Sequence, residues 1–142
     1  MNHLQDKTVI ITGASSGIGA ASARELAAHG ARIVVAARDA EGVEAMVDEL
    51  KANGAQALAY VCDVTVRAEM AALAQFAQDS FGAVDILINN AGLMLFSNWS
   101  DVAIDEWDKM VDVNIKGYLN TIAAVLPFMI RRGSGQILSQ DW

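Results

Sequence analysis

The chain has 142 residues, 54% of them hydrophobic, which is of one-domain size and rich enough in apolar side chains to bury a sizeable core. Its formal charge of -7 repels polyanions, so nucleic acid is not expected as a partner and any grip on phosphate must be local. A single cysteine excludes an internal disulfide and a cysteine-based metal cluster, leaving a reducing, cytoplasmic setting without a metal ion as the expectation.

From Met1 to Lys7 the chain shows neither the charged nor the apolar region of a signal peptide. Thr8 to Thr12 is then the first of five short apolar runs, followed by Arg32 to Ala37, Gln56 to Cys62, Asp85 to Asn89 and Gln136 to Ser139. Four helical patterns alternate with them. That rhythm predicts βα units and a parallel sheet covered on both faces. In the second helical pattern Val43, Met46, Val47 and Leu50 fall on one face, and in the third Met70, Leu73 and Ala77 repeat the arrangement. Gly30, Gly54, Gly82 and Gly133 each follow a helical run, where a left-handed residue can close the last turn. Cys62, at the end of the third strand, reads as a buried apolar residue.

The fourth helix, Ile104 to Arg132, carries a wide apolar surface made of Trp107, Val111, Ile115, Tyr118, Leu119, Ile122, Leu126 and Met129. Covering a sheet needs only a stripe. The surplus points either to a second subunit, giving a homo-oligomer through this helix, or to burial under further parts of the same domain. Its most apolar run, Ile122 to Ile130, is too short to span a bilayer and contains Pro127, so no membrane partner is expected.

The segment Thr12-Gly13-Ala14-Ser15-Ser16-Gly17-Ile18-Gly19 joins the first strand to a helix containing Ala21, Ala23, Leu26 and Ala27. A strand that turns sharply into a helix leaves unpaired N–H groups at the helix N-terminus, where the macrodipole adds partial positive charge. A pyrophosphate can settle there only where no Cβ intervenes. Gly13 suits the tight turn, Gly17 the close approach of phosphate, and Gly19 the packing of helix on strand, so the segment reads as a dinucleotide-binding turn.

Asn89-Asn90-Ala91-Gly92 follows at the end of the fourth strand, Asp63 ends the third, and Asn114 lies in the long helix. In this order the set resembles the short-chain dehydrogenase/reductase family from Lys7 to about Leu138. The resemblance implies a doubly wound α/β Rossmann sheet ordered 3-2-1-4-5, a single dinucleotide-binding domain over residues 1–142 that is incomplete at its C-terminal edge relative to the family, and NAD(P)-dependent oxidation or reduction of a small alcohol or carbonyl substrate. It gives Gly13, Ser15, Ser16, Gly17, Ile18 and Gly19 to the cofactor phosphates and ribose, and Asp63 and Val64 to the adenine. A carboxylate there can accept from an exocyclic amine; the alternative for Asp63 is a charge ahead of the third helix. Asn90, Ala91 and Gly92 would border the cofactor, and Asn89 would be structural.

The end of the second strand reads Val35-Ala36-Ala37-Arg38-Asp39, with uncharged Ala37 where NAD-preferring members of the family usually place an acid. Arg38 can pair with a 2′-phosphate through its forked donors, which favours NADP over NAD. Asp39 is the rival, since an acid nearby could reach the ribose; its other job is to cap the second helix.

The family's tyrosine, with a lysine four residues on, has no counterpart, because Tyr60 is followed by Val64 and Tyr118 by Ile122 at that spacing. Counting from Gly135, the family's catalytic serine falls at Trp142, and Ser139 sits three residues too early. Asn114 alone remains of the catalytic group; the competing reading makes it a polar residue satisfied within its helix. Leu93 to Trp99, with Met94, Leu95, Phe96 and Trp99, offers an apolar wall to a substrate pocket or plain packing. Three readings stand: a truncated oxidoreductase that is inactive alone, a non-catalytic dinucleotide-binding sensor or interaction module, and half of a split enzyme.

Overall fold

The computed structural model describes residues 3–93 and 95–140. Five strands, β1 (Thr8–Thr12), β2 (Arg32–Ala37), β3 (Ala57–Val61), β4 (Ile86–Asn89) and β5 (Gln136–Ser139), form one parallel sheet in the order β3-β2-β1-β4-β5. The expected doubly wound order is the order found. Register is set at the centre, where Ile10 of β1 stands opposite Val34 of β2 and Leu87 of β4. The third and fourth strands are slightly shorter than expected, with Gln56, Cys62 and Asp85 outside them. The ladder still reaches past their ends, since Cys62 N–H donates to the Ala37 carbonyl and Asp85 N–H to that of Thr8, both at 3.0 Å.

Strand side chains alternate between two cores. Val9, Ile11, Ile33 and Val35 face α1 (Gly17–Ala28) and α2 (Ala40–Ala52), and are closed over by Ala23, Val43, Val47 and Leu50. Ile10, Val34 and Leu87 face α3 (Arg67–Phe81) and the long helix, meeting Met70, Leu73, Val125 and Met129. Each large apolar side chain so enclosed contributes about 1.5–3 kcal/mol relative to exposure. Because both faces are covered, β1 is buried along its whole length and shows no polar alternation. Gly30, Gly54, Gly82 and Gly133 all take positive φ at the helix ends where stops were expected.

The long helix is not uniform. It comprises α4 (Ile104–Val111), a π-wound stretch from Asp112 to Lys116, and α5 (Gly117–Arg132). By length and composition the helix would suffice to cross a membrane, yet Thr121, Val125 and Met129 are buried against the sheet and α3. The opposite face, with Val111, Ile115, Leu119, Leu126 and Ile130, is 39% to 68% exposed. Two tertiary demands meet at the π turn. Asn114 within it bonds the chain at Leu93, and Gly117 just after it lies where a Cβ would come within 2.7 Å of Val64 Cγ2. An inserted residue in a turn lets one helix meet both.

Candidate functional site

The site sits at the C-terminal ends of β1, β2, β3 and β4. Gly13 leaves β1 at φ 64°, and a Cβ there would lie 2.8 Å from the Ala91 Cα, so the turn and the β4 end press together. Gly17 opens α1 at φ 58°, and a Cβ there would meet nothing within 4 Å. The open side of the turn is therefore kept clear at this residue. Ser16, at the N-cap, makes no side-chain capping bond, so its hydroxyl does not occupy the first amides of α1. At Gly19, expected to let the helix pack closely, a Cβ would come within 2.5 Å of the Gly13 carbonyl and of the Asn90 side-chain amide, residues that directly follow the ends of β1 and β4.

Thr12, the last residue of β1, has a clamping role that its sequence position does not reveal. Its hydroxyl accepts the backbone N–H groups of Asn90 at 3.0 Å and Ala91 at 3.1 Å. The Asn90 side-chain amide donates to the Gly13 carbonyl at 3.1 Å, while its Oδ1 is buried with no partner among the described residues. Asn89, expected to be structural, is fully buried in β4.

At the far side, Asp63 Oδ1 accepts from Thr65 N–H at 2.9 Å and from the Thr65 hydroxyl at 2.7 Å. The N-cap of α3 is Val66, so the Asp63 carboxylate serves a turn before the helix and is not its cap. Asp63 Oδ2 stands 4.0 Å from Arg38 Nε. Partial burial works to raise the Asp63 carboxyl, but the Thr65 hydrogen bonds and the Arg38 charge outweigh it and hold the group below the usual carboxylate range. Cys62 is buried beside it, and burial, helped by the charges of Glu69 and Asp63, pushes the thiol up to about 12. Val64 is gripped from the long helix, where Asn120 Nδ2 donates to its carbonyl at 3.0 Å. Asp39 occupies the N-cap position of α2 without a side-chain capping bond, its carboxylate lying against Gly42.

These groups enclose a cleft of about 320 Å³. Gly13, Ser15, Ser16, Gly17, Ile18, Arg38, Asp63, Val64, Asn90, Ala91 and Gly92 all line it, and Gly19 lies buried beneath. Asp39, the rival to Arg38, lines it too, as do Cys62, read from the sequence only as a buried apolar residue, and Leu93, the first residue of the expected apolar wall; Val113 also lines it and was not singled out from the sequence. For Val113 the signal was available in its place beside Asn114, but apolar helix residues rarely declare a pocket.

Asn114 is not on the wall of this cleft. Its Oδ1 accepts from Leu93 N–H at 2.8 Å and its Nδ2 donates to the Leu93 carbonyl at 2.7 Å, a paired grip on the chain just past Gly92. The reading of Asn114 as a satisfied polar residue describes this geometry, with the partner in a loop and not in its own helix. Beyond it, Phe96 and Trp99 are largely exposed, and Trp99 meets Trp107 with ring centroids 5.4 Å apart. Met94 and Trp142 lie outside the described residues. The Tyr118 hydroxyl donates to the Gln140 carbonyl, and Tyr60 packs on Phe76.

The model of the short chain dehydrogenase family matches residues 7–139. An uncharacterized oxidoreductase of Listeria monocytogenes is 47% identical over 136 residues, which are 96% of this chain and 55% of that protein. A solved 7α-hydroxysteroid dehydrogenase, in complex with NADH and 7-oxo glycochenodeoxycholic acid, superposes with a TM-score of 0.91 at 38% identity, over 96% of this chain and 53% of its own. A metagenomic short-chain oxidoreductase in complex with NADP gives a TM-score of 0.90 at 37% identity, over 96% and 62%. The chain thus spans about half the length of the curated relatives it matches. With the glycine turn, the Asn-Asn-Ala-Gly segment and the sheet order all in place, the chain belongs to the short-chain dehydrogenase family.

Proposed function

We propose that this chain is the cofactor-binding part of a cytoplasmic NADP-dependent oxidoreductase that acts on a small alcohol or carbonyl substrate, with NAD the weaker cofactor. The observation that carries the choice is Arg38, on the cleft wall one residue after uncharged Ala37. Relatives of similar identity include one complexed with NADH and one with NADP, so the family alone does not decide.

The residues fit a dinucleotide. Gly17 keeps open the space before the α1 amides that a Cβ would enter, and the buried Asn90 Oδ1 lacks the donor that a cofactor hydroxyl would bring. The α1 N-terminus, with Ser15 and Ser16, takes the pyrophosphate; the Asp63 carboxylate accepts the adenine amine, and Val64 packs on the ring. Arg38 pairs with the 2′-phosphate. When bound, the nicotinamide supplies or takes the hydride. Asn114 fixes the loop after Gly92 that borders this end of the cofactor, a positioning role. An alkoxide formed by hydride addition needs a proton donor, and no tyrosine in these 142 residues precedes a lysine by four. The isolated chain accordingly binds cofactor without turnover.

The exposed stripe Val111, Ile115, Leu119, Leu126 and Ile130 supports self-association through the long helix.

Losing a charge-assisted contact costs roughly 1.5–3 kcal/mol, so Arg38→Ala is expected to weaken NADPH binding about ten- to a hundredfold and leave NADH alone. Titration of both reduced cofactors against wild type and variant measures this. An unchanged NADPH affinity would end the NADP assignment.

A further inference from the structure

We propose that Asp63 sets how strongly the cleft prefers a 2′-phosphorylated cofactor, by holding Arg38 as its counter-ion across the mouth of the cleft. The inference rests on the reading of Arg38 as the 2′-phosphate ligand and adds a second residue that governs it.

The two oxygens of Asp63 have different work. Oδ1 is committed to Thr65 through two hydrogen bonds, at 2.9 Å from the backbone N–H and 2.7 Å from the hydroxyl. This pins the carboxylate at the end of β3 and leaves Oδ2 facing Arg38 Nε at 4.0 Å. Arg38, whose side chain is 72% exposed, has no other carboxylate within ion-pair distance among the described residues. Asp39, although its neighbour in sequence, turns its carboxylate against Gly42. Asp63 is therefore the one acid placed to orient the guanidinium while the cleft is empty of phosphate.

A 2′-phosphate entering this corner competes with a carboxylate already in place. The guanidinium must turn from Asp63 or divide its donors between two anions, and either weakens its pull on the phosphate. A cofactor without that phosphate meets no such competition. Asp63 thus lowers the discrimination that Arg38 provides, and keeps the unphosphorylated cofactor within reach. An exposed pair at this distance is a weak one, so the effect on the preference is about two- to fivefold.

Adenosine 2′,5′-bisphosphate and adenosine 5′-monophosphate isolate the effect, because they differ only in the 2′-phosphate and any adenine contact of Asp63 cancels in the ratio of their dissociation constants. Calorimetric titration of both against the full chain needs no turnover. Asp63→Asn keeps an Oδ1 acceptor for Thr65, and a thermal melt checks that its fold is retained. The expected result is a preference for the bisphosphate that rises about two- to fivefold in Asp63→Asn and does not change when the same substitution is made on Arg38→Ala. Asp39→Asn, which removes a nearby charge that is not paired with Arg38, is expected to move the ratio less. An unchanged or reduced preference in Asp63→Asn overturns the inference, as does an equal rise without Arg38, which would mean direct repulsion of the phosphate. Equal binding of the two nucleotides by the wild-type chain removes the Arg38 reading and this inference together, and binding of neither removes the cleft as a cofactor site.

Discussion

The Thr12 hydroxyl accepts the backbone N–H of Asn90 at 3.0 Å, joining the ends of β1 and β4 across 78 residues of chain. With the second bond from Ala91, the hydroxyl satisfies two amides in the segment that presses on Gly13. Thr12→Val keeps the shape and strands both donors, which is expected to cost about 1–3 kcal/mol. Thr12→Ser keeps the acceptor and should lose far less. Urea unfolding of the three proteins checks the order, and a valine variant as stable as wild type would contradict it.

Gly13 and Gly17 both carry positive φ, yet their alanine variants are expected to fail differently. At Gly17 the new methyl enters open space, so the fold bears only the backbone strain of about 1–2 kcal/mol while cofactor affinity falls by roughly tenfold or more. At Gly13 the methyl meets the Ala91 backbone, so stability falls first and further. Paired melting and NADPH titration separate the two, and equal losses in both measurements for both variants would refute the division.

Cys62 makes the fold sensitive to alkali. Its thiol is neutral in both states below its ordinary value of 9.0; above that the unfolded chain ionises while the native thiol, raised to about 12, does not. The stability it contributes is therefore present at neutral pH and lost as pH climbs from 9.0 toward about 12. Urea midpoints at about pH 8 and about pH 10.5 should fall more for wild type than for Cys62→Ala. Parallel slopes would argue against the buried thiol.

If the long helix pairs with a second copy, the contact centres on Leu119, which is 60% exposed in the middle of its apolar stripe. Leu119→Glu is expected to shift the chain toward monomer in sedimentation velocity while leaving its circular dichroism unchanged. A wild-type chain that already sediments as a monomer at high concentration defeats the proposal.

The fold was readable because its signals are local. Apolar runs bounded by glycine marked the strands, and the i, i+3, i+4, i+7 set of α2 and the Met70, Leu73 and Ala77 set of α3 lie on their buried faces, which in α3 also include Ala74. The lining of the cleft came from the glycine turn and from the resemblance, since those residues sit at strand ends where the chain order itself brings them together. What escaped was set by distant partners. Thr12 acts on amides at positions 90 and 91, and the partner that fixes Asn114 is a main-chain unit in a loop. Nothing in the immediate neighbourhood of either residue encodes those contacts. The π turn was invisible for a similar reason, because it reconciles Leu93 with Val64, and neither lies in the helix.

That turn has a consequence for the tolerance of the chain to length changes. A regular helix advances by 3.6 residues per turn, so one residue more or less rotates everything after it by about 100°. α4 and α5 are thus held out of phase, and the phase is stored in the five residues from Asp112 to Lys116. Closing all five into a regular α-form would turn α5 by about 100° relative to α4 and swing Thr121, Val125 and Met129 off the sheet. Deleting one of the five removes the surplus residue, so the shortened helix can close into an unbroken α-form with those three still on the sheet. A one-residue deletion is therefore expected to be tolerated better here than elsewhere in the long helix, where it would rotate the sheet-facing residues out of place.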